Sequence, residues 1–280
     1  MDLRTYDTKV EKNILGGTKT ENGEIIGNTF KVGESYIYVV QDFLSEKECK
    51  LIVENTKDNK KKISTKSRQV NRGLFMDPAF ARYVKYRMSK DSISGRIIER
   101  RSPVIGFGVH GDYYEDNIIS VNECIRSNEY GSDSKGFSWH RDLQFSHDIY
   151  NRSTHTILIY LDDEFEGGET LFFENSFDCK PGETIEEEMK RKTKEVFSVK
   201  PKAGTAVIFD QRYIHKSNPI SNGIKNVIRT DLCVKVVYDN NYDERVMKIA
   251  QRLFRHAQLC DISNKSDLAE ELYERSNSLR

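Results

Sequence analysis

The sequence predicts a mainly β protein with flanking helices: a jelly roll that is supported by N-terminal helices and followed by C-terminal helices. From about 103 to 239, short β-branched and aromatic runs are separated by Gly, Asn, Asp and Pro. Clear helical periodicity occurs before and after this section. Closely spaced strands without interleaved crossover helices favour a sandwich or barrel over a parallel sheet, and a jelly roll fits this pattern.

Two helices are predicted in the N-terminal support, which covers about 36–100. Ser45 and Glu48 have the spacing of a capping box, and apolar residues then repeat at helical intervals to about 57. A second helix begins at Pro78, where apolar residues recur every four positions along one face. We expect both apolar faces to pack in the core.

The remaining segments are predicted to be peripheral. Residues 1–35 are polar and glycine-rich, which indicates a loosely docked lead-in to a domain that spans 36–239. The basic run at 57–72 predicts a solvated loop, and the dense mixed charge at 178–195 predicts an exposed insertion. Residues 240–280 return to helical periodicity and form a C-terminal helical extension.

The composition argues against several classes of partner and compartment. Lys plus Arg and Asp plus Glu are 44 each, so neither nucleic acid nor a membrane is expected as a partner. The five cysteines are odd in number and form no CxxC pair, which argues against a disulfide framework or a zinc ribbon. No signal-like segment occurs, and no run approaches about 18 apolar residues. We therefore expect a cytoplasmic protein.

A candidate metal site begins in the stretch GFSWHRDLQF. His140 and Asp142 stand two residues apart, so in a strand their side chains would point to the same face. His215 follows the predicted strand GTAVIF and supplies a third possible ligand. Any one of these residues alone is more often an ordinary surface or core residue. Together, two imidazoles and one carboxylate match the facial triad of non-haem Fe(II) oxygenases, which leaves positions open for cosubstrates.

A candidate anion site lies further along the chain. Lys225 and Arg229 stand four residues apart in a predicted strand, so both would point to one face. A cation in this place can hold a carboxylate.

In this ordered pattern the chain resembles the 2-oxoglutarate and Fe(II)-dependent dioxygenases, and specifically their prolyl 4-hydroxylase-like branch. The resemblance covers about 120–238 and includes Phe137-x-x-His140-x-Asp142, LIYLDDEFEGGETLFF, PKAGTAVIFD, and His215 followed by Lys225. It implies a double-stranded β-helix whose cofactors are Fe(II), 2-oxoglutarate and dioxygen, with ascorbate as an optional addition.

The resemblance also implies roles for individual residues. His140, Asp142 and His215 would bind iron, and Lys225 would pair with the distal carboxylate of 2-oxoglutarate, with Arg229 as the second candidate. The family often has a hydrogen-bonding tyrosine where this chain has Phe137, which cannot donate a hydrogen bond. The residues that could take over this function are Tyr130 and Thr170. No general base is required.

The function implied is hydroxylation of a peptidyl prolyl or related residue, with release of succinate and carbon dioxide. Hydroxylation of a free amino acid or another small metabolite is the alternative, and a non-catalytic jelly-roll binding module is a third. A collagen substrate is not favoured, because no signal segment and no even cysteine set occur. The candidate substrate contacts lie in predicted loops at 60–72, 111–118 and 143–155: Arg68, Asn71, Arg72, Tyr113, Tyr114 and His147.

Overall fold

The computed structural model describes residues 9–16, 26–32, 35–65, 67–90, 113–142, 145, 151–173, 184–191, 196–237, 243–262 and 266–279. The helices are α1 (Glu46–Thr56), α2 (Pro78–Lys90), α3 (Ile185–Arg191), α4 (Glu244–Ile262) and α5 (Ser266–Ser278). The strands up to residue 131 are β1 (Lys9–Glu11), β2 (Ile26–Val32), β3 (Ser35–Gln41), β4 (Lys61–Ser64), β5 (Gln69–Met76), β6 (Tyr113–Val121) and β7 (Cys124–Gly131).

The later strands form the remainder of two sheets and a short ribbon. They are β8 (Phe137–His140), β9 (Asn151–Tyr160), β10 (Glu166–Gly167), β11 (Thr170–Phe173), β12 (Val196–Val199), β13 (Ala206–Asp210), β14 (His215–Ser217), β15 (Ile220–Asn222) and β16 (Ile224–Val237). The principal sheet has the order β1-β5-β7-β16-β9-β13-β3-β2, with β4 paired to β5 and β6 to β16. The smaller sheet has the order β12-β11-β14-β8, and β10 pairs with β15.

The predicted jelly roll is confirmed. Apart from the parallel pair β1–β5, the described strand pairs are antiparallel, and β16 lies between β7 and β9 at the centre of the principal sheet. A cluster of buried apolar side chains includes members of both sheets: Val32, Ile37, Tyr160, Phe172, Val199, Val207, Phe209, Tyr213 and Val227. Burial of these apolar surfaces is the main force that holds the two sheets together.

Both N-terminal helices are confirmed and contribute to a second apolar cluster. The capping box of α1 is present, because Glu48 N donates to Ser45 Oγ and Ser45 N donates to Glu48 Oε2. This cluster joins residues of the helices to one face of the principal sheet: Cys49, Ile52, Phe80, Val84, Met88, Ile157, Ile159, Ile208 and Ile228. The helices therefore support the sheet from the side opposite the smaller sheet.

The expectation of a loosely docked lead-in is wrong for its described parts. β2 pairs with β3 from Ile26 to Val32, and β1 adds to β5 in parallel. Ile14 is fully buried, and its amide donates to the side chain of Asp77 at 2.6 Å. Backbone pairing and buried apolar side chains outweigh the polar composition of this segment.

The basic run at 57–72 is also not a solvated loop. Its residues form most of the hairpin β4–β5, in which Lys61 lies opposite Arg72. The charge of Lys60 is satisfied across the sheet, since its Nζ lies 3.0 Å from Glu129 Oε2. A distant carboxylate thus allows a lysine-rich sequence to join a sheet.

The insertion at 178–195 is exposed only in part. Its described portion contains α3, whose Glu188 is fully buried and accepts a hydrogen bond from Arg141 at 2.6 Å. Arg141 stands between His140 and Asp142, so α3 anchors the end of β8.

The C-terminal helices are confirmed as α4 and α5. They pack together through a small cluster that includes Ala257, Cys260 and Leu272. Among the described residues, no helix is both long and apolar enough to cross a membrane. The domain boundaries at 36 and 239 remain predictions.

Candidate functional site

β8 and β14 are neighbours in the smaller sheet and bring the two motif histidines together. The strands are antiparallel, and His140 lies opposite His215. The two ring centroids are 4.2 Å apart. Asp142 follows His140 by two residues, and its carboxylate lies beside the His140 imidazole. Strand pairing therefore gathers three residues from distant parts of the sequence.

The three donor atoms of these side chains fit a single metal ion. His140 Nε2 lies 3.8 Å from Asp142 Oδ1, and His215 Nε2 lies 3.6 Å from Asp142 Oδ2. All three ligand atoms lie within 4.8 Å of one another. Two imidazoles and a carboxylate on one side of an ion are the donor set of non-haem Fe(II) oxygenases.

Hydrogen bonds to the backbone orient both imidazoles. His140 Nδ1 lies 2.8 Å from Ser138 O, and His215 Nδ1 lies 3.0 Å from Tyr213 O. A carbonyl oxygen only accepts, so Nδ1 carries the hydrogen and the Nε2 lone pair is free for a metal. Burial and the neighbouring His215 lower the pKa of His140 to about 3, and burial lowers the pKa of His215 as well. The imidazoles are therefore held neutral.

Asp142 is kept ionised by its surroundings. Thr156 Oγ1 donates to Asp142 Oδ2 at 2.6 Å, and an Arg229 guanidinium nitrogen lies 3.2 Å from Asp142 Oδ1. Burial raises the pKa of Asp142, but the Arg229 guanidinium and the Thr156 hydroxyl favour the carboxylate, and the pKa lies below its usual range. The carboxylate is thus available as an anionic ligand.

A second polar site, the Lys225 pocket, is formed by Lys225, Gly168, Ser217, Tyr160 and Thr170. Lys225 is buried, and its Nζ donates to Gly168 O and to Ser217 Oγ. The ammonium lies 5.3 Å from the centroid of the Tyr160 ring, whose hydroxyl donates to Thr170 Oγ1 at 2.7 Å. Burial lowers the pKa of Lys225 to about 7, although Asp162 and Glu169 partly oppose this shift.

The Lys225 pocket therefore contains a buried cation whose hydrogen-bond acceptors are neutral. Among the residues that the structure describes, no carboxylate forms an ion pair with Lys225. A buried charge without a charged partner is costly, and an anion in contact with the ammonium would offset that cost. The pocket fits a ligand carboxylate.

Residues 125–230 match the family model of the 2OG-Fe(II) oxygenase superfamily. These residues, which include His140, Asp142, His215 and Lys225, belong to this superfamily. The protein is a 2-oxoglutarate-dependent dioxygenase whose cofactors are Fe(II) and 2-oxoglutarate, and the donor set at His140, Asp142 and His215 fits the iron. A search of curated protein sequences found none that matches this chain.

Solved structures of similar proteins include several prolyl hydroxylases. A viral collagen prolyl hydroxylase from Paramecium bursaria Chlorella virus-1, in complex with 2OG, is 18% identical over 70% of this chain and 95% of its own, with a TM-score of 0.42. A Pseudomonas putida prolyl-4-hydroxylase is 14% identical over 70% and 91%, with a TM-score of 0.44. A Trichoplax adhaerens prolyl hydroxylase in complex with a hypoxia-inducible-factor peptide is 14% identical over 70% and 82%, with a TM-score of 0.42.

Arg229 of this oxygenase is already paired with protein carboxylates. Its guanidinium lies 3.2 Å from Asp142 Oδ1 and 3.1 Å from Asp231 Oδ1. Asp231 is fully buried and also accepts hydrogen bonds from Arg126, Gln211 and Asn122. Arg229 thus connects this buried network to the candidate metal ligand.

Sequence reasoning named Tyr130 and Thr170 as candidates, and the structure places Tyr160 and Thr156, which it did not name, in the same area. Tyr130 lies opposite Lys225 in the pairing of β7 with β16, and Thr170 contacts Tyr160. Tyr160 and Thr156 lie opposite Val227 and Asp231 of β16, so they share the inner face of the sheet with Lys225. The alternation of Thr156, Leu158 and Tyr160 along β9 was the signal that could have revealed them.

The candidate substrate contacts separate into three groups. The Arg68 guanidinium lies 5.0 Å over the Phe137 ring, which stacks on His140 at 3.5 Å between centroids. Arg72 Nε donates to Asn128 Oδ1 at 2.8 Å. Asn71 precedes Arg72 in β5, so its side chain points to the opposite face of the sheet, where it donates to Glu129 Oε1. The expectation that Asn71 lies at the site is therefore wrong. The side chains of the others lie outside the described residues: Tyr113, Tyr114 and His147.

We predict that His215→Ala weakens metal binding while the fold is preserved, because the variant loses one donor from a site at the edge of the core. Isothermal titration of the full chain with Mn(II), together with circular dichroism, checks this. His256→Ala, in α4, is the matched control and should bind Mn(II) like the native chain. Native affinity in His215→Ala would contradict the assignment of the third ligand.

Proposed function

We propose that this oxygenase is of the prolyl 4-hydroxylase-like branch and hydroxylates a prolyl or related residue in a polypeptide. His140, Asp142 and His215 hold Fe(II), and Lys225 holds the distal carboxylate of 2-oxoglutarate. The observation that carries the second assignment is the buried Lys225 ammonium, whose hydrogen-bond acceptors in the described residues are all neutral.

Lys225 is favoured over Arg229 as the 2-oxoglutarate anchor because the two cations have different partners. Arg229 already contacts Asp142 and Asp231, which offset its charge, so a further carboxylate would bring a smaller gain there. Lys225 needs an anion to offset the burial of its charge. Arg229 is accordingly a positioning residue that orients Asp142.

Hydroxyl groups around Lys225 supply further hydrogen-bonding capacity. Tyr160 and Thr170 are bonded to each other beside the ammonium, and Tyr130 lies on the neighbouring strand. These residues compensate for Phe137, which cannot donate a hydrogen bond. Phe137 has another role, because its ring stacks on His140 and covers that ligand.

The chemical role of the protein is to bind, orient and shield. When bound, Fe(II) with 2-oxoglutarate and dioxygen supplies the oxidation of a substrate C–H bond to C–OH, with release of succinate and carbon dioxide. The rings of Phe172 and Phe209 lie within 6 Å of the His215 ring, with centroid distances of 5.9 and 4.8 Å. They limit water access to this side of the centre.

The proposal of a prolyl substrate is based on the ordered sequence pattern from Phe137 to Lys225, which resembles that of the prolyl 4-hydroxylase-like branch. A free amino acid or small metabolite is the second candidate, since the same centre could oxidise it. A cytoplasmic location is supported by three cysteines of the described residues, Cys49, Cys124 and Cys260, which are free thiols.

We predict that 2-oxoglutarate binding weakens as the pH rises above about 7. Burial lowers the pKa of Lys225 to about 7, and a carboxylate bound to the ammonium would raise this pKa again. Above pH 7, the binding of 2-oxoglutarate is therefore coupled to protonation of Lys225. The affinity for 2-oxoglutarate falls by up to about tenfold per pH unit until the pH reaches the pKa that Lys225 has in the complex.

Isothermal titration of 2-oxoglutarate into the Mn(II)-loaded chain, in buffers of different ionisation enthalpy, measures both the affinity and the proton uptake. Lys225→Arg keeps a permanent charge and should lose this pH dependence. Lys225→Met should weaken binding about tenfold to a hundredfold at pH 7. A native chain whose affinity is constant from about pH 7 to 9 would rule out Lys225 as the titrating anchor.

We predict that the full chain, with Fe(II), 2-oxoglutarate and dioxygen, adds one oxygen atom to proline-containing peptides and forms one succinate per oxygen added. Mass spectrometry of the peptide and of succinate checks this with a panel of flanking residues. His215→Ala should give neither product, and His256→Ala should give both. Oxygen insertion into free L-proline but into no peptide would replace the proposal with the small-molecule alternative.

A further inference from the structure

Four guanidinium groups form an arginine cluster beside the candidate metal centre: Arg68, Arg72, Arg126 and Arg229. Arg126 lies opposite Arg229 in the pairing of β7 with β16. Arg72 lies opposite Asn128, which in turn lies opposite Val227. Residues opposite each other share a face, so Arg72, Arg126 and Arg229 are on the same face as Lys225.

Two members of the arginine cluster are neutralised by protein carboxylates. Arg126 and Arg229 both contact Asp231, at 3.0 and 3.1 Å. Arg229 also contacts Asp142, which is committed to the metal in the proposed function. The buried Asp231 is thus shared between two arginines.

The other two members, Arg68 and Arg72, have only neutral partners among the residues that the structure describes. Arg72 donates to the amide oxygen of Asn128, and Arg68 lies over the face of Phe137. Burial and then the nearby Arg68 lower the pKa of Arg72 to about 9, and burial lowers the pKa of Arg68. Both side chains are therefore in surroundings that disfavour positive charge and would gain from an anion.

Arg68 and Arg72 are close to the place where oxidation occurs. Arg68 contacts Phe137, and Phe137 stacks on the candidate ligand His140. Arg72 is on β5, and only β7 lies between β5 and β16. Adjacent strands are about 4.8 Å apart. The proposed 2-oxoglutarate runs from the metal to Lys225 on β16, so its two carboxylates already have partners.

We propose that Arg68 and Arg72 bind a carboxylate of the primary substrate. Guanidinium groups suit this role because they can donate two parallel hydrogen bonds to one carboxylate. The inference rests on the proposed function and narrows its substrate to an acidic one. The carboxylate belongs either to an acidic residue near the target residue of a polypeptide or to a small carboxylic acid.

Two matched probe pairs distinguish these sources by isothermal titration of the chain loaded with Mn(II) and 2-oxoglutarate. The peptide pair is an acetylated and amidated Glu-Pro peptide and its Gln-Pro counterpart. The small-molecule pair is L-proline and L-prolinamide. We expect the carboxylate member of one pair to bind about tenfold to a hundredfold more tightly, and that pair identifies the source.

The double variant Arg68→Gln with Arg72→Gln should lose this preference. Arg245→Gln, an exposed arginine of α4, is the matched control and should keep it. The affinity for 2-oxoglutarate should be unchanged in both variants, which shows that the fold and the Lys225 pocket are intact. Equal binding within both pairs, or a preference that survives in the double variant, would overturn the proposal.

Other outcomes separate this inference from the proposed function. A native chain that fails to bind 2-oxoglutarate contradicts the proposed function whatever the probes do. Loss of 2-oxoglutarate affinity in the double variant would assign the two arginines to the cosubstrate and overturn the inference. Tighter binding of a short RNA oligonucleotide than of either carboxylate probe would also overturn it, since phosphates would then be the preferred anions.

Discussion

The site depends on one buried carboxylate, Asp231 of β16. It is fully buried and takes two arginines as partners, Arg126 from β7 and Arg229 from its own strand. Removing one member of such a buried network typically costs about 3–5 kcal/mol, because it leaves an uncompensated charge. Through Arg229 the network reaches Asp142, so the position of a metal ligand is coupled to the centre of the principal sheet.

The two cations on the inner face of β16 have different tasks because their partners differ. Arg229 is held between two protein carboxylates and can orient Asp142 without binding a ligand. Within the described part of the chain, Lys225 donates to neutral acceptors only, and its burial lowers its pKa to about 7. Anion binding at Lys225 therefore brings a larger gain than it would at Arg229.

The local pattern correctly indicated that His140 and Asp142 lie close together, since Asp142 stands two positions after His140 along the chain, just beyond the end of β8. Features that depend on distant pairing were not predictable in this way. The lysine-rich run at 57–72 joins the sheet through the pairing of β4 with β5 and of β5 with β7, and Lys60 forms an ion pair with Glu129. The side of the sheet to which Asn71 points depends on the register of β5 with β7. The role of Tyr160 depends on its pairing with Val227 of β16. Long-range register is not encoded in any single short motif.

The most direct measurement is a crystal structure of the chain with Mn(II) and 2-oxoglutarate, using the anomalous signal of the metal. The account predicts Mn(II) bound by Nε2 of both histidines and by Asp142. It also predicts that 2-oxoglutarate extends from the metal to Lys225 Nζ, while Arg229 stays on Asp142 and Asp231. A metal located elsewhere, or a distal carboxylate held by an Arg229 that has left Asp231, would contradict it.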